Sequence, residues 1–454
     1  MPTLWLKDRR HRSVGQQLLQ ALVERPSHQL SHLASSRAQE VAFSRWLSND
    51  RVHLDQLVHG ITAHTSTRVQ GHDHVLVASD TTEINLKHTD GYRQDDTLGV
   101  TGNNTDSGFF IHAGLALCAD DGRLLGCASL QVWTRHGEYD FGRVESDKWF
   151  TVARHVADLA PVVTLVHDRE GDVFDHWLQM HGYRSVCGQR QHLLTRARQD
   201  RRVWNARAGS CDKLYAVVRS APMLGTFELD LPPRANGAVF RARRTSRMTV
   251  RACAVELVRP GETSRRPCTT RVQAIEVREL EADVPHHEQA VVWRLLTTHA
   301  VNTLDDALQV VRWYLWRWRA EDCFATIKSR ALDLEASRLH RGSALLKLGV
   351  MSVWSATQLQ RLVKGRDDAV TSASVVFDEA QLQCLETVLP RFEGKTAAQR
   401  NPHPQGSLAW AVWIIARLGY QHDNRPPGPT RLKRGLERFD ALFLGWRAAR
   451  ETLP

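Results

Sequence analysis

At His74 the sequence changes from helical periodicity to short β-rich runs, two of which are followed by a helix. This alternation limits the fold more than any other feature of the chain. HVLVASDTTEINL opens with the run VLVA and delivers Asp80 at its polar end. After the Gly/Asn-rich GVTGNNTDSG, the segments FFIHAGLALC and RLLGCASLQVW are β-like and joined by ADDG, a hairpin signal. ESDKWFTVARHVADLA has helical spacing, and PVVTLVHDREGD predicts a buried strand ending at Asp168. FDHWLQMHGY predicts a helix and YRSVCG another strand. Strands and helices in this order predict an α/β layer, with two acids emerging at strand ends, where sites commonly form.

The second constraint is residues 303–330, TLDDALQVVRWYLWRWRAEDCFATIKSR. Leu304, Leu308, Val311, Leu315 and Trp318 recur at helical steps without Gly or Pro between them, which predicts one long amphipathic helix. Asn302 and Thr303 supply capping oxygens, and Asp305 and Asp306 occupy its first turn. At about 100° per residue, Tyr314, Arg317, Glu321 and Lys328 fall within roughly a 60° sector. A carboxylate on that stripe can hold a divalent cation while its cationic and hydroxyl neighbours grip phosphate oxygens. The plainer reading is a solvated face with an i,i+4 Arg317–Glu321 pair.

The flanks are helical. Residues 1–68 carry three helix-like segments and the basic residues Lys7, Arg9, Arg10, Arg12, Arg37 and Arg45, as a small DNA-binding bundle or a solubilising cap would. Residues 69–194 hold the first strands and helices of the α/β layer. Residues 195–298 consist of β-like segments without intervening helices, an all-β insertion. Its arginines 234, 241, 243, 244, 247, 251, 259, 265, 266 and 271 suit either a phosphate-tracking surface or a solvated one. The long helix occupies 299–340, and the helices of 341–454 have apolar faces fit for a bundle or a homodimer surface.

A net charge of +10 and a pI near 9.4 favour a polyanionic partner, because released counterions drive association with a phosphate backbone. No apolar run is long enough to span a bilayer or to act as a secretory signal, so a cytosolic protein is expected. The eight cysteines form no CxxC pair, which suggests reduced thiols rather than a zinc ribbon or disulfide framework. The pairs His72/His74 and His286/His287 lack ligand spacing and are expected at the surface.

Asp80, Asp168 and Glu321 can meet only through tertiary folding. A ribonuclease-H-like fold would bring them around two divalent cations roughly 3.5–4 Å apart. Carboxylate oxygens favour Mg²⁺, with Mn²⁺ as a substitute. Asp140, Asp172 and Glu170 compete for these roles.

The spacing Tyr314-x2-Arg317-x3-Glu321-x6-Lys328 resembles the Tyr-Arg-Glu-Lys signature of bacterial cut-and-paste insertion-sequence transposases with a DDE active site. The chain is most similar to transposon-five-like members of the insertion-sequence-four group. SDTTEIN and HDREGD resemble the family's first- and second-aspartate motifs, and ESDKW the segment between them. AVVWRLLTT resembles the strand before the signature helix, and SLAWAVWIIARLG a segment of the C-terminal domain. The resemblance implies an α/β, ribonuclease-H-like catalytic core interrupted by the β-rich insertion, with helical N- and C-terminal domains. It implies that Asp80, Asp168 and Glu321 are the catalytic metal ligands, and that Tyr314, Arg317 and Lys328 grip transposon-end phosphates. Trp293 falls where the family stacks a tryptophan near a base turned out of the helix. The implied activity is hydrolysis of one strand at each end, hairpin formation and opening, and strand transfer into target DNA. The implied partners are double-stranded terminal repeats, target DNA and a second protomer, with no membrane and no nucleotide cofactor. After Lys328 the sequence SRALDLEASRL lacks the glycine expected there. A nuclease of the same fold that cuts without joining, and a domesticated DNA-binding protein, are the alternatives.

Overall fold

The computed structural model of the protein describes residues 2–86, 97–102, 105–135, 144–182, 190–236, 239–264, 266–420 and 426–452. The first helices are α1 (Arg9–Glu24), α2 (Leu30–Leu33), α3 (Arg37–Leu47) and α4 (Leu54–Val69). Asp8 caps α1 and Ser36 caps α3, each accepting from backbone N–H groups of the first turn. Leu18, Leu22, Phe43, Trp46 and Ile61 bury the inner faces of these helices.

Next come β1 (His74–Asn85), β2 (Gly99–Val100), β3 (Ser107–Cys118) and β4 (Leu124–Trp133), then α5 (Val144–His155), β5 (Val162–His167), α6 (Phe174–Gly182) and β6 (Arg190–Arg196). β3 pairs antiparallel with both β1 and β4, whereas β5 is parallel to β1 and β6 is parallel to β5. The ADDG signal becomes the β3–β4 turn, where Gly122 takes φ +68 and leaves no room for a Cβ against Trp316.

The 195–298 segment is not purely β. It contains β7 (Arg202–Asn205), β8 (Ser210–Lys213), α7 (Leu214–Ser220), β9 (Met223–Leu231), β10 (Arg234–Asn236), β11 (Val239–Arg241), β12 (Arg244–Val258), β13 (Thr269–Glu279) and β14 (Val292–Thr297). Leu214 and Val218 bury one side of α7, a stretch too short for its periodicity to stand out. β14 pairs antiparallel with β6, so these strands continue the same sheet, which has twelve strands among the described residues. β10 and β11 form a separate ribbon. The chain is thus mixed α/β on one mixed, open sheet. The strand expected in YRSVCG falls on 183–188, outside the described residues.

Strand alternation sends Leu76, Ala78 and Val166 into one apolar cluster and Val75, Val77, Val163 and Leu165 into the other. The second cluster packs under α5 and α6. The first packs under α8 (Leu304–Trp316), α9 (Trp318–Ala325) and α10 (Gly342–Lys364). The remaining helices, α11 (Glu379–Val388), α12 (Leu408–Leu418) and α13 (Pro429–Thr452), share a third cluster with the end of α10. Among the described residues no helix is long and apolar enough to cross a membrane.

The 303–330 stretch is not one uninterrupted α-helix. Thr303 and Asp306 form a capping box that starts α8, and the chain stays right-handed through Arg317 into α9. A π-helical turn (Thr326–Arg330) follows. At its start the turn is held to α10: the Gln360 side-chain amide donates to Asp322 O at 3.1 Å and to Thr326 Oγ1 at 2.7 Å. Thr326 Oγ1 also donates to Asp322 O at 2.8 Å, and the same oxygen keeps its helical bond from the Thr326 N–H, so side-chain donors crowd the last regular carbonyl before the π turn.

Candidate functional site

β1 does not end at Asp80. Its apolar run stops there, but the strand continues to Asn85 because β3 goes on pairing with it, opposing Asp80 with Ala113. The parallel partner β5 is in register as far as Ala78↔Val166. Two residues further on each strand are Asp80 and Asp168, and Asp168 keeps an extended backbone. Adjacent strands lie about 4.8 Å apart, and alternation sends both acids to the face that carries Ala78 and Val166. That face is covered by α8 and α9.

α9 brings Glu321 to the same place, and Arg317 joins the parts. Its guanidinium is buried and donates through Nη1 to Asp80 Oδ2 at 2.8 Å and through Nη2 to Glu321 Oε1 at 2.6 Å. Burial pushes the Asp80 carboxyl up to about 6; Arg317 pulls it down, and the charges of Asp168 and Glu321 push it up again. Burial works against the Arg317 charge, but Asp80, Tyr314 and Glu321 outweigh it and hold the guanidinium above its usual range. Asp168 Oδ1 accepts the Glu170 N–H at 2.8 Å. Among the described residues no three His, Cys, Asp or Glu side chains stand ready to hold a metal ion together. The cation between Asp80 and Glu321 is a guanidinium.

Tyr314 is buried at the end of α8, where burial raises its phenol and the charges of Arg317 and Asp168 reach it. Lys328 lies on the π turn, 3.2 Å from Glu335, whose Oε1 accepts the Asn85 N–H at 3.0 Å. Lys328 is therefore tied to the far end of the strand that carries Asp80. Trp293, on β14 opposite Val277, is half-buried and packs against the cluster on the Asp80 face. Sequence reasoning missed Trp318, whose indole is 56% exposed with the Arg317 guanidinium 5.7 Å from its ring. Its helical spacing assigned it to the apolar stripe; an unusual density of tryptophan around Arg317 was the available signal.

The competing acids separate by their partners. Asp172 is buried and held by Arg201 at 3.0 Å, by Trp177 Nε1 at 2.9 Å and by the Arg198 N–H at 2.9 Å, which makes it a clamp between α6 and the chain after β6. Glu170 is exposed and pairs with buried Lys148 at 3.3 Å. Asp140 lies outside the described residues.

Two surface expectations change. Arg244 pairs with Glu279 and Glu288, Arg247 with Asp283, Arg259 with Asp175, and Arg251 donates to Ala221 O, so much of the arginine-rich segment is internally engaged. Arg243 and Arg266 are exposed, while the side chains of Arg234, Arg241 and Arg265 lie outside the described residues. His74 is half-buried rather than superficial: its Nε2 meets Thr164 Oγ1 at 2.8 Å, and its ring lies against Trp313. Every described cysteine is free, and Cys127 and Cys323 are fully buried. No protein-family model matches the chain.

Proposed function

We propose that the chain is a metal-dependent DNA phosphoryl-transfer enzyme, a DDE transposase on a ribonuclease-H-like core. The observation that carries this reading is that Arg317 joins Asp80 to Glu321, remote in sequence, while the charges of both Asp168 and Glu321 act on Asp80. The strand order β4-β3-β1-β5-β6 supports the core. An antiparallel meander leads into two strands parallel to β1, as a ribonuclease-H-like layer requires. The strands after β6 then read as an insertion that returns through β14 to the helices bearing Glu321.

The donor set is hard oxygen, which fits Mg²⁺ with Mn²⁺ as a substitute. Two such ions, when bound, supply the Lewis acidity that prepares a water or 3′ hydroxyl and stabilises the leaving oxygen. The chain's own residues hold that centre on two rigid strands and one helix. Arg317 serves as counter-charge to Asp80 and Glu321 and must turn away for the carboxylates to take a cation. Once turned, its guanidinium joins Lys328 and the Tyr314 hydroxyl on a rim suited to DNA phosphates. Trp293 provides a flat surface on the same face for an unpaired base. Exposed Arg9, Arg10 and Arg45 on the first helices suit duplex DNA, and the exposed Leu444 of α13 suits contact with a second protomer in a paired-end complex. Such an enzyme works in the cytosol, on the nucleoid.

The test is cleavage and joining of DNA taken from the two flanks of the gene, where a transposase would have its short inverted repeats. Wild type should nick these ends with Mg²⁺ and join them to a target plasmid. Glu321→Gln should bind the ends without cutting them, since it removes a ligand with little change of shape. Cleavage without joined product would make the protein a nuclease. Full activity of Glu321→Gln would remove Glu321 from the site.

A further inference from the structure

Away from the acids, a cavity of about 310 Å³ lies where α1 and α4 meet α10, α11 and α13. That is the lower end of the range for small-molecule sites, room for one ring with a charged substituent. Arg68 and His64 of α4 line one side, and Arg361 of α10 stands behind Gln358 and Val375. Arg68 donates to Val375 O at 3.4 Å, and Arg361 donates to the same oxygen at 3.3 Å. Among the described residues neither guanidinium forms an ion pair, and the charges acting on Arg361 are the like charges of Arg68 and Arg123. A half-buried Arg68 and a buried Arg361 share the Val375 carbonyl, and Arg361 donates further to the neutral Gln358 Oε1, which leaves an unanswered demand for negative charge.

A second observation points the same way. Trp354 lines the cavity, and its Nε1–H is buried with no acceptor. Native buried donors are rarely left so. The acids across the cavity do not meet these needs: Glu24 takes a hydrogen bond from Gln20, and Asp440 pairs with Arg25 at 3.4 Å. Neither Arg68 nor Arg361 is among the charges that act most on either acid. Trp354, Leu362, Phe377 and Phe439 give the wall a flat apolar part, beside the polar side chains of Gln20, Ser374 and Gln381.

We propose that this cavity binds a small aromatic oxyanion, a carboxylate or phosphate monoester on a single flat ring, with its anionic end toward Arg68. The site is independent of the DNA-processing reading. The probes are phenyl phosphate, inorganic phosphate and benzyl alcohol, titrated calorimetrically into the full chain without DNA. Phenyl phosphate should bind one per chain and raise the melting temperature, at least about tenfold more tightly than either fragment probe, because only it satisfies both ends of the cavity. Arg68→Gln should weaken it about tenfold or more. Val376→Trp fills the cavity from its rim without touching a charge and should abolish binding in a chain that still melts cooperatively. Inorganic phosphate binding equally well overturns the aromatic part of the proposal, and benzyl alcohol binding equally well overturns the anionic part. Phenyl phosphate binding weaker than about 1 mM, or binding that survives Val376→Trp, overturns the site itself.

Discussion

Arg317 and Asp80 meet at 2.8 Å, the end of β1's apolar run against the junction between α8 and α9, and the second arm of the same guanidinium holds Glu321 at 2.6 Å. A single planar fork thus sets the distance between two of the three acids. It also supplies the counter-charge without which the carboxylates, with Asp168 beside them, would repel one another.

Removing that fork should separate stability from cation affinity. Arg317→Gln leaves Asp80 and Glu321 without their shared cation, and because both remain partly solvated the loss should be about 1–3 kcal/mol, read from urea unfolding without metal. Mn²⁺ should bind the variant more tightly than wild type, measured calorimetrically without DNA, because the ion no longer competes with the guanidinium. Weaker Mn²⁺ binding would show that Arg317 assembles the acids rather than occupying their centre.

Protonation of Asp80 should be visible in the pH dependence of stability. Its carboxyl is raised to about 6 from an ordinary 3.8, chiefly by burial, so the folded chain holds a proton that the unfolded chain releases. The resulting stabilisation is complete below pH 4 and is lost as pH rises through 6. Wild type minus Asp80→Asn, followed by urea unfolding from pH 4 to pH 7.5, should therefore show stability falling with pH across that window. Cation affinity at the acids should rise over the same window, since the ion requires the ionised carboxylate. A difference that is flat in pH would mean that Asp80 is ionised throughout.

Much of this arrangement was legible in the sequence, and the reasons mark where legibility ends. VLVA and VVTLV are short apolar runs with an acid two residues on, and β1 and β5 are where those runs fall; of the stripe Leu304, Leu308, Val311, Leu315 only Val311 is buried, because α8 turns Ala307, Val310, Trp313 and Tyr314 inward beside it and leaves the leucines half-covered. What escaped depends on partners remote in the chain. TTEIN alternates polar residues and reads as the end of a strand, yet β3 pairs along all of it. Arg317 and Glu321 announce an i,i+4 pair, but nothing local announces Asp80 as the third member. The arginines of 234–271 look like a phosphate surface until Glu279, Asp283 and Asp175 are folded against them. The attachment of β14 to β6 is a long-range strand pairing that no window of sequence contains.

Lys328 and Glu335 offer a test of DNA contact that does not disturb the acids. Glu335 competes with phosphate for the ammonium 3.2 Å away, and its Oε1 also accepts the Asn85 N–H, a bond that glutamine can keep. Glu335→Gln should tighten binding to duplex DNA a few-fold. Lys328→Ala should weaken it and lower the slope of log K against log salt by about one. If Lys328→Ala leaves the salt slope unchanged, Lys328 belongs to the fold and not to the DNA rim.

Trp293 can be divided between packing and recognition by two substitutions. It is half-buried against the cluster under α8, so Trp293→Ala should cost about 1.5–3 kcal/mol in urea, while Trp293→Phe keeps most of the contact and should cost under about 1.5 kcal/mol. If the indole stacks on a displaced base, hairpin formation should fall more than first-strand nicking in Trp293→Ala, with Trp293→Phe partly restoring it. Equal losses in both steps, tracking stability, would place Trp293 in the core alone.

The π turn that carries Lys328 should depend on Gln360, which lies on a different helix and touches no acid of the site. Its side-chain amide donates to Asp322 O, which also accepts the Thr326 N–H, and to Thr326 Oγ1, and so holds the residue that opens the π turn against α10. Gln360→Leu preserves much of the side chain's bulk but withdraws both hydrogen bonds from a buried position, at a cost of about 1–3 kcal/mol. With Thr326 released from α10, the turn it opens can return to α geometry and move Lys328 around the helix by a fraction of a turn. The expected signature is double: lower stability in urea, and a loss of salt dependence in DNA binding like that of Lys328→Ala although the lysine is present. A Gln360→Leu chain that loses stability but keeps the wild-type salt slope would show that the π turn is a packing accommodation and does not aim Lys328.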